Sequence, residues 1–328
     1  MPAAGLEASL ALIAEILKQP RFDSDEFEQL KRQSIAGIES ARTDPASLAG
    51  LALARHVNPY PRGHWAYTAT LDEQLEEARK TSLSDLTRCH QEFFGLAQAQ
   101  LAIAGDFDPV KLRDVVAQQF GSFSKPAPYA RIPARTRAAP PLTEDIMTPD
   151  KANATLRATI ILDARDDDAE YPSLALANYL FGGSIDARLA KRIREKDGLS
   201  YSVGSGLSVS SQDRYGQWSA SAIYAPQNRA RVEAALREEL ERARRDGFTA
   251  EEVSKAKDAI LQSRRLGRAA DMSLAGKLSS DLYYGRTYDW DAQFEEKLNN
   301  VTPASVSASF VKHIDPARMN LVKAGDFK

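Results

Sequence analysis

An α+β fold of two similar domains is what this sequence predicts, and three observations predict it. Helix-start devices recur along the chain at one fixed displacement, so a supersecondary unit is duplicated. In the second half the strand-like segments come before most of the helical ones. That order belongs to an antiparallel sheet with helices packed on it rather than to a doubly wound parallel sheet. The length, 328 residues at 36.0 kDa, suits two domains of roughly 150 residues.

Composition closes off several function classes. Apolar residues make up 43% and charged residues 27%, which excludes a disordered, collagen-like or coiled-coil chain. Net charge is −2, with no basic excess for nucleic acid or an anionic membrane surface. The one cysteine, Cys89, excludes an intrachain disulfide and any multi-cysteine metal site.

In chain order, the apolar stretch Leu6 to Leu17 is broken by Glu7, Ser9 and Glu15. It neither spans a bilayer nor forms a signal-peptide core. Next come Phe22, Lys31 and Ser47-Leu48-Ala49-Gly50, which recur as Phe248, Lys257 and Ser273-Leu274-Ala275-Gly276, each displaced by 226 positions. Asp23 and Thr249 are the expected N-caps, with Glu26 and Glu252 completing capping boxes. Phe22 with Phe27, and Phe248 with Val253, are the expected hydrophobic staples. Gly105-Asp106-Phe107 recurs as Gly325-Asp326-Phe327, displaced by 220. Each follows an apolar run, Leu101 to Ala104 and Leu321 to Ala324, that reads as a strand. Ser82 and Thr302 precede helix-like stretches, with Pro303 at the favoured first position.

These matches predict a first domain over 1–123, a proline-rich linker over 124–147 and a complete second domain over 148–328. The first piece matches only the later part of the second, so by the repeat arithmetic roughly 80 residues of a first copy are missing. The linker stretch holds Pro126, Pro128, Pro133, Pro140 and Pro141, a composition that resists helix and strand. In the second domain Ala154 to Leu162 alternates as a strand, and Tyr171 to Phe181 reads as a helix closed by Gly182-Gly183. A further helix runs from about Ile185 to Lys196. A strand pair follows over Tyr201 to Ser211 and Tyr215 to Ile223. Helices are expected over Asn228 to Arg245, Ala250 to Arg265, Met272 to Tyr284 and Pro303 to Lys312, and a last strand over Met319 to Lys323.

Candidate chemistry is sparse. The four histidines, His56, His64, His90 and His313, have no zinc-peptidase spacing, and neither HExxH nor HxxEH occurs. His56 and His64 are eight apart in a loop-like stretch. Cys89 and His90 are neighbours on a helix, so their side chains diverge and a structural role is favoured. Gly204-Ser205-Gly206 lacks the third glycine and the strand-to-helix context of a dinucleotide loop, and there is no phosphate loop or GxSxG elbow. What stands out is the run Arg188 to Tyr201, Arg-Leu-Ala-Lys-Arg-Ile-Arg-Glu-Lys-Asp-Gly-Leu-Ser-Tyr. It places Arg194 in the last turn of a helix, Gly198 at a left-handed cap and Tyr201 at the start of a strand. A cation at a helix C-terminus and a strand-forming tyrosine also account for the two residues without any chemistry.

This run resembles the signature of the pitrilysin/insulinase family of zinc peptidases, the inverted zincins. Pro20-Arg21-Phe22, Asp44-Pro45, Asn58-Pro59-Tyr60 and both Gly-Asp-Phe strand ends are similar to that family in the same order. The resemblance implies two domains of the processing-peptidase type, also the LuxS type, forming one half of a clamshell around unfolded peptide. It further implies that Arg194 and Tyr201 are catalytic residues contributed in trans to a zinc site on the facing half, where each would donate hydrogen bonds to developing negative charge. The departures from the family pattern are equally informative. Leu174 to Leu180, aligned with the motif helix, offers no His or Glu, and Gly37 stands where the family places its downstream zinc Glu, with Glu39 two residues on. The chain is therefore expected to hold no metal and to be inactive alone. Zinc is expected in an HxxEH-bearing partner half, fused upstream or a separate subunit, and the substrate is peptide or unfolded polypeptide. No nucleic acid and no membrane span are expected, and the resemblance leans toward a bacterial periplasm. The other reading is a catalytically inert peptide-binding or assembly subunit of the same fold.

Overall fold

The computed structural model describes residues 5–123, 128–137 and 139–328; Ser124 and Pro126 of the expected linker lie outside them. Contacts divide the chain into two compact units, one of Met1–Gly37, Leu75–Ile132 and Arg265–Thr287, the other of Ile38–Gln74, Pro133–Arg264 and Tyr288–Lys328. Neither unit is one continuous length of chain. Each takes a helix from the other repeat copy: α10 (Asp271–Tyr284) belongs to the first unit and α3 (Pro45–Val57) to the second.

The first unit is helical among the described residues. It contains α1 (Leu6–Lys18), most of α2 (Ser24–Ala41), the end of α4 (Leu71–Lys80), α5 (Leu83–Phe93), α6 (Pro109–Phe120) and α10. His90 is built into it: Nε2 lies 2.8 Å from the Leu17 carbonyl, and the ring meets Phe22 edge-on and stacks on Phe94. The structural reading of Cys89-His90 is thus the one the geometry supports. Leu101 to Ala104, expected as a strand, is not one. A strand exists only where a neighbour takes its hydrogen bonds. No segment among the described residues pairs with this run, whereas its counterpart Leu321 to Ala324 lies between two strands.

The second unit carries a five-stranded sheet in the order β1-β5-β2-β4-β3. Its strands are β1 (Thr143–Met147), β2 (Ala154–Leu162), β3 (Ser200–Val209), β4 (Gly216–Tyr224) and β5 (Asn320–Gly325). Four are antiparallel, and β1 adds a parallel edge on β5, Thr143 opposite Leu321. β1 corrects the expectation that the stretch before Thr148 resists strand. Its sequence is a poor strand former, but Asp145 meets the buried Lys323 and Arg229, each at 3.0 Å, and the edge of β5 supplies the backbone partners. Lys323 also pairs with Glu233, which Arg237 holds at 2.9 Å.

Helices cover one sheet face. Here α7 (Tyr171–Asn178), α8 (Arg229–Asp246), the start of α9 (Ala250–Ala269), α11 (Tyr288–Asn299) and α12 (Pro303–His313) pack with the sheet around Leu156, Ile160, Leu176, Phe181, Trp218, Leu240 and Phe310. On the opposite face α3 sets Ala49 and Leu53 against Val322 and Ala324. Asp44 starts α3 by accepting the Ser47 N–H at 2.7 Å, with Pro45 at the first helical position. The Thr249 and Glu252 capping box forms in both directions, at 3.2 and 2.8 Å. At Asp23 only half forms: its carboxylate accepts the Glu26 N–H, while the Glu26 side chain turns to Arg21. The repeat also preserves a tie, since Lys31 Nζ donates to the Thr81 carbonyl and Lys257 Nζ to that of Asn299, both at 2.8 Å.

Candidate functional site

The run Arg188 to Tyr201 folds as a bent arm between α7 and β3. After α7, Tyr179–Gly183 widens into a π-helical turn, and Gly182 fits there because a Cβ would stand 2.5 Å from Ser205 Oγ and 2.7 Å from Ser205 N. This close approach explains part of the Gly204-Ser205-Gly206 sequence without any nucleotide. The next helix begins at Arg188 rather than near Ile185, and Ala190–Lys196 is again π-helical, the Asp197 N–H reaching back to the Arg192 carbonyl. Such widened turns are frequent at functional sites. Gly198 ends the segment at φ +61°, and the Leu199 N–H returns to the Ile193 carbonyl at 2.9 Å.

Three arginines of the arm have three roles. Arg188 makes a two-pronged pair with Glu252 at 2.9 and 2.8 Å, donates to the Gly247 carbonyl and lies over the Phe248 ring. Burial would raise the Glu252 pKa, but the bonds from Arg188 and Thr249 outweigh it and bring the carboxyl down to about 2. Arg192 bonds to Asp197 and Glu238, at 2.7 and 2.9 Å. Arg194 is exposed and, among the described residues, makes no hydrogen bond or ion pair.

Tyr201 sits in a bulge. β3 pairs Ser200 with Tyr224 and Ser202 with Ile223, so Tyr201 is the extra residue. Its side chain is turned out, 88% exposed, and its hydroxyl has no partner among the described residues. The residues around it are fixed: Leu199 and Ser200 are buried, and Ser200 Oγ lies within 2.8 Å of the Ser202 and Ile223 carbonyls. The arm thus presents one free guanidinium and one free phenol on either side of a turn that the core holds in place.

The residues present do not fit a zinc ion. No group of three His, Cys, Asp or Glu converges among the described residues. In α7 and the turn after it, Leu174 to Leu180 carries neither His nor Glu. His56 Nε2 meets the Pro140 carbonyl at 2.7 Å, His64 stacks on Tyr60, and His313 Nε2 lies 3.0 Å from Glu170. Glu39 is on α2 beside Arg42. Among the described residues no helix is long and apolar enough to cross a membrane.

Sequence reasoning singled out Arg194 and Tyr201 but missed the Arg188 to Glu252 pair. Its partners are 64 residues apart, and no local pattern announces it. It also missed α11, where aromatic and acidic residues mask the Phe294 and Leu298 spacing that faces the core.

An α+β unit whose helix α7 and following turn carry no His or Glu, with no metal-binding group among the described residues, is the arrangement of a peptidase-like domain without the metal motif. The comparisons with known proteins agree: the model of the family described as Peptidase M16 inactive domain matches residues 80–260, more than half the chain. The chain belongs to that family, and the resemblance to the zinc peptidases is borne out. An uncharacterized zinc protease of Mycobacterium tuberculosis is 26% identical over 295 residues, covering 86% of this chain and 63% of that protein. The match thus spans less than two thirds of that relative's length. A Helicobacter pylori protein named as a non-peptidase homolog is 20% identical over 312 residues, 93% of this chain and 69% of that one. The crystal structure of a peptidase M16 inactive domain from Pseudomonas fluorescens superposes with a TM-score of 0.81 at 23% identity, over 99% of this chain and 76% of that one.

Proposed function

We propose that this chain is the non-metal half of a zinc metalloendopeptidase, supplying Arg194 and Tyr201 to the zinc site of a facing HxxEH-bearing half. The observation that carries the reading is the pair itself. Among the described residues both side chains lack an intramolecular partner, although the backbone bearing them is fixed by the Gly198 turn and by buried Leu199 and Ser200. Free donors on a rigid support are what electrostatic catalysis requires, because no reorganisation is needed when charge appears.

The chemistry of the pair follows from its donors. When water adds to a peptide carbonyl, negative charge gathers on the carbonyl oxygen. The Tyr201 hydroxyl donates one short hydrogen bond to such an oxyanion. The Arg194 guanidinium donates to the oxyanion or to a neighbouring substrate carbonyl in a fixed fork. Neither residue needs to exchange a proton. Zinc chemistry belongs to the partner half, and this chain alone is inactive.

The test is reconstitution with the zinc-bearing half and turnover of a quenched-fluorescent peptide. Arg194→Ala and Tyr201→Phe are expected to lower kcat about 10²- to 10³-fold, the usual cost of one oxyanion donor, with unfolding midpoints unchanged. Unchanged turnover in both folded variants sinks the proposal. The inert peptide-binding or assembly subunit then becomes the reading, in line with the Helicobacter pylori relative named as a non-peptidase homolog.

A further inference from the structure

On the sheet face away from the main core, α3 packs over β2 and β5, and a cleft of about 240 Å³ is left between it and the exposed residues of β2 and β4. Its floor is built in register: Arg157 of β2 stands opposite Ser221 of β4, Thr159 opposite Ser219, and Gln217 follows along the strand. Leu53, Ala54 and Val57 of α3 form an apolar wall. Arg157 is the one charged residue in its strand. Among the described residues its guanidinium has neither a hydrogen bond nor an ion pair, and the same holds for the side chains of Gln217, Ser219 and Ser221. Arg188, Arg192, Arg214, Arg229, Arg237 and Arg264 of the same unit are by contrast all committed to carboxylates.

The other charges near the mouth are Lys151 and Asp44. The Asp44 carboxylate caps α3 through Ser47 and does not form an ion pair with Arg157. Two cations, Arg157 and Lys151, with the Asp44 carboxylate near them leave a net charge of one, which favours a monoanion over a dianion such as phosphate. A guanidinium takes a carboxylate through two parallel hydrogen bonds, and serine hydroxyls and an amide can complete its shell. The volume is below the roughly 300–1,000 Å³ of sites for drug-sized ligands. It suits the end of a chain, with the terminal side chain on the apolar wall.

We propose that this cleft binds the C-terminal α-carboxylate of a peptide, with Arg157 as the carboxylate anchor and Ser219, Ser221 and Gln217 as further donors. The proposal rests on the reading that this chain handles peptides, and it adds a second contact point on the same unit as Arg194 and Tyr201. A cleaved peptide would be held here by the terminus that cleavage creates.

The experiment is a calorimetric titration of the full chain with N-acetyl-Ala-Ala bearing a free carboxylate, and with the same peptide as its C-terminal amide. The acid is expected to bind at least about tenfold more tightly, the scale of one charge-assisted hydrogen bond. Arg157→Gln is expected to erase the difference, and Ser221→Ala to weaken the acid a few-fold. Both positions are exposed and unpaired, so circular dichroism should show both variants folded. Equal binding of acid and amide, a difference that survives in Arg157→Gln, no binding at millimolar peptide, or equal competition by acetate alone would each overturn the proposal. Because no zinc-bearing half is present in the titration, its failure leaves the Arg194 and Tyr201 test untouched, and failure of that test leaves the binding result standing.

Discussion

Glu252→Gln is the most informative single change, because it removes one charge from the pair that anchors the arm carrying Arg194. The Glu252 carboxyl falls from an ordinary 4.5 to about 2 in the folded protein. At about 1.4 kcal/mol per pH unit this sets a ceiling of about 3 kcal/mol at neutral pH. A third of the side chain is exposed, 33% against 15% for Arg188. Solvent screening therefore lowers the expected loss to about 2 kcal/mol. The sign follows from the depressed pKa: the contribution is complete above the unfolded value of about 4.5 and is lost as pH falls toward 2. Urea unfolding of wild type and variant, followed by circular dichroism at pH 7 and pH 3, should give a gap of about 2 kcal/mol at pH 7 that shrinks to less than half at pH 3. A gap below about 0.5 kcal/mol at pH 7, or one independent of pH, would refute the reasoning and make the pair a solvated surface contact. Arg188→Lys serves as a control, since a lysine keeps the charge but cannot reproduce the fork to Glu252 and the Gly247 carbonyl.

Gly198→Ala should cost about 1–2 kcal/mol in urea unfolding, because φ +61° is a left-handed conformation that a Cβ disfavours; a neutral result would mean the turn relaxes. Gly182→Ala should cost about 1–3 kcal/mol by overpacking, its Cβ meeting the Ser205 backbone nitrogen at 2.7 Å, and a crystal structure of the variant should show β3 displaced there. Dialysis of the isolated chain against EDTA should leave its thermal midpoint within about 1 °C, since a bound structural metal would stabilise the folded state by mass action. A clear fall in midpoint would return attention to His56 and His64.

Much of the second unit was legible in the sequence. β2 was read at its observed ends because its inward residues alternate without a break, and α12 because Thr302 and Pro303 announce its start. The arm was legible through Gly198, whose position between a helix and a strand requires a left-handed turn. Three features were not legible, for different physical reasons. β1 lacks strand propensity and owes its existence to β5, Lys323 and Arg229. Leu101 to Ala104 has the propensity but no partner among the described residues. Arg157 was passed over in the sequence, because its setting depends on α3, far earlier in the chain, lying across the same sheet face.

The sequence by itself determined the helix starts, because each rests on neighbours within about four residues along the chain, and the duplication, because the same devices recur in the same order at displacements of 220 and 226 positions. It also singled out Arg194 and Tyr201, through the resemblance of the run Arg188 to Tyr201 to the zinc-peptidase signature. Tertiary structure alone decided which cations are spent and which are free. Arg188, Arg192 and Arg194 are alike in one dimension, and only the positions of Glu252, Asp197 and Glu238 separate two arginines that are paired from one that has no ion pair among the described residues. Charge pairing acts through space over a few ångströms, and the pairs to Glu252 and Glu238 join residues dozens of positions apart that no local pattern connects.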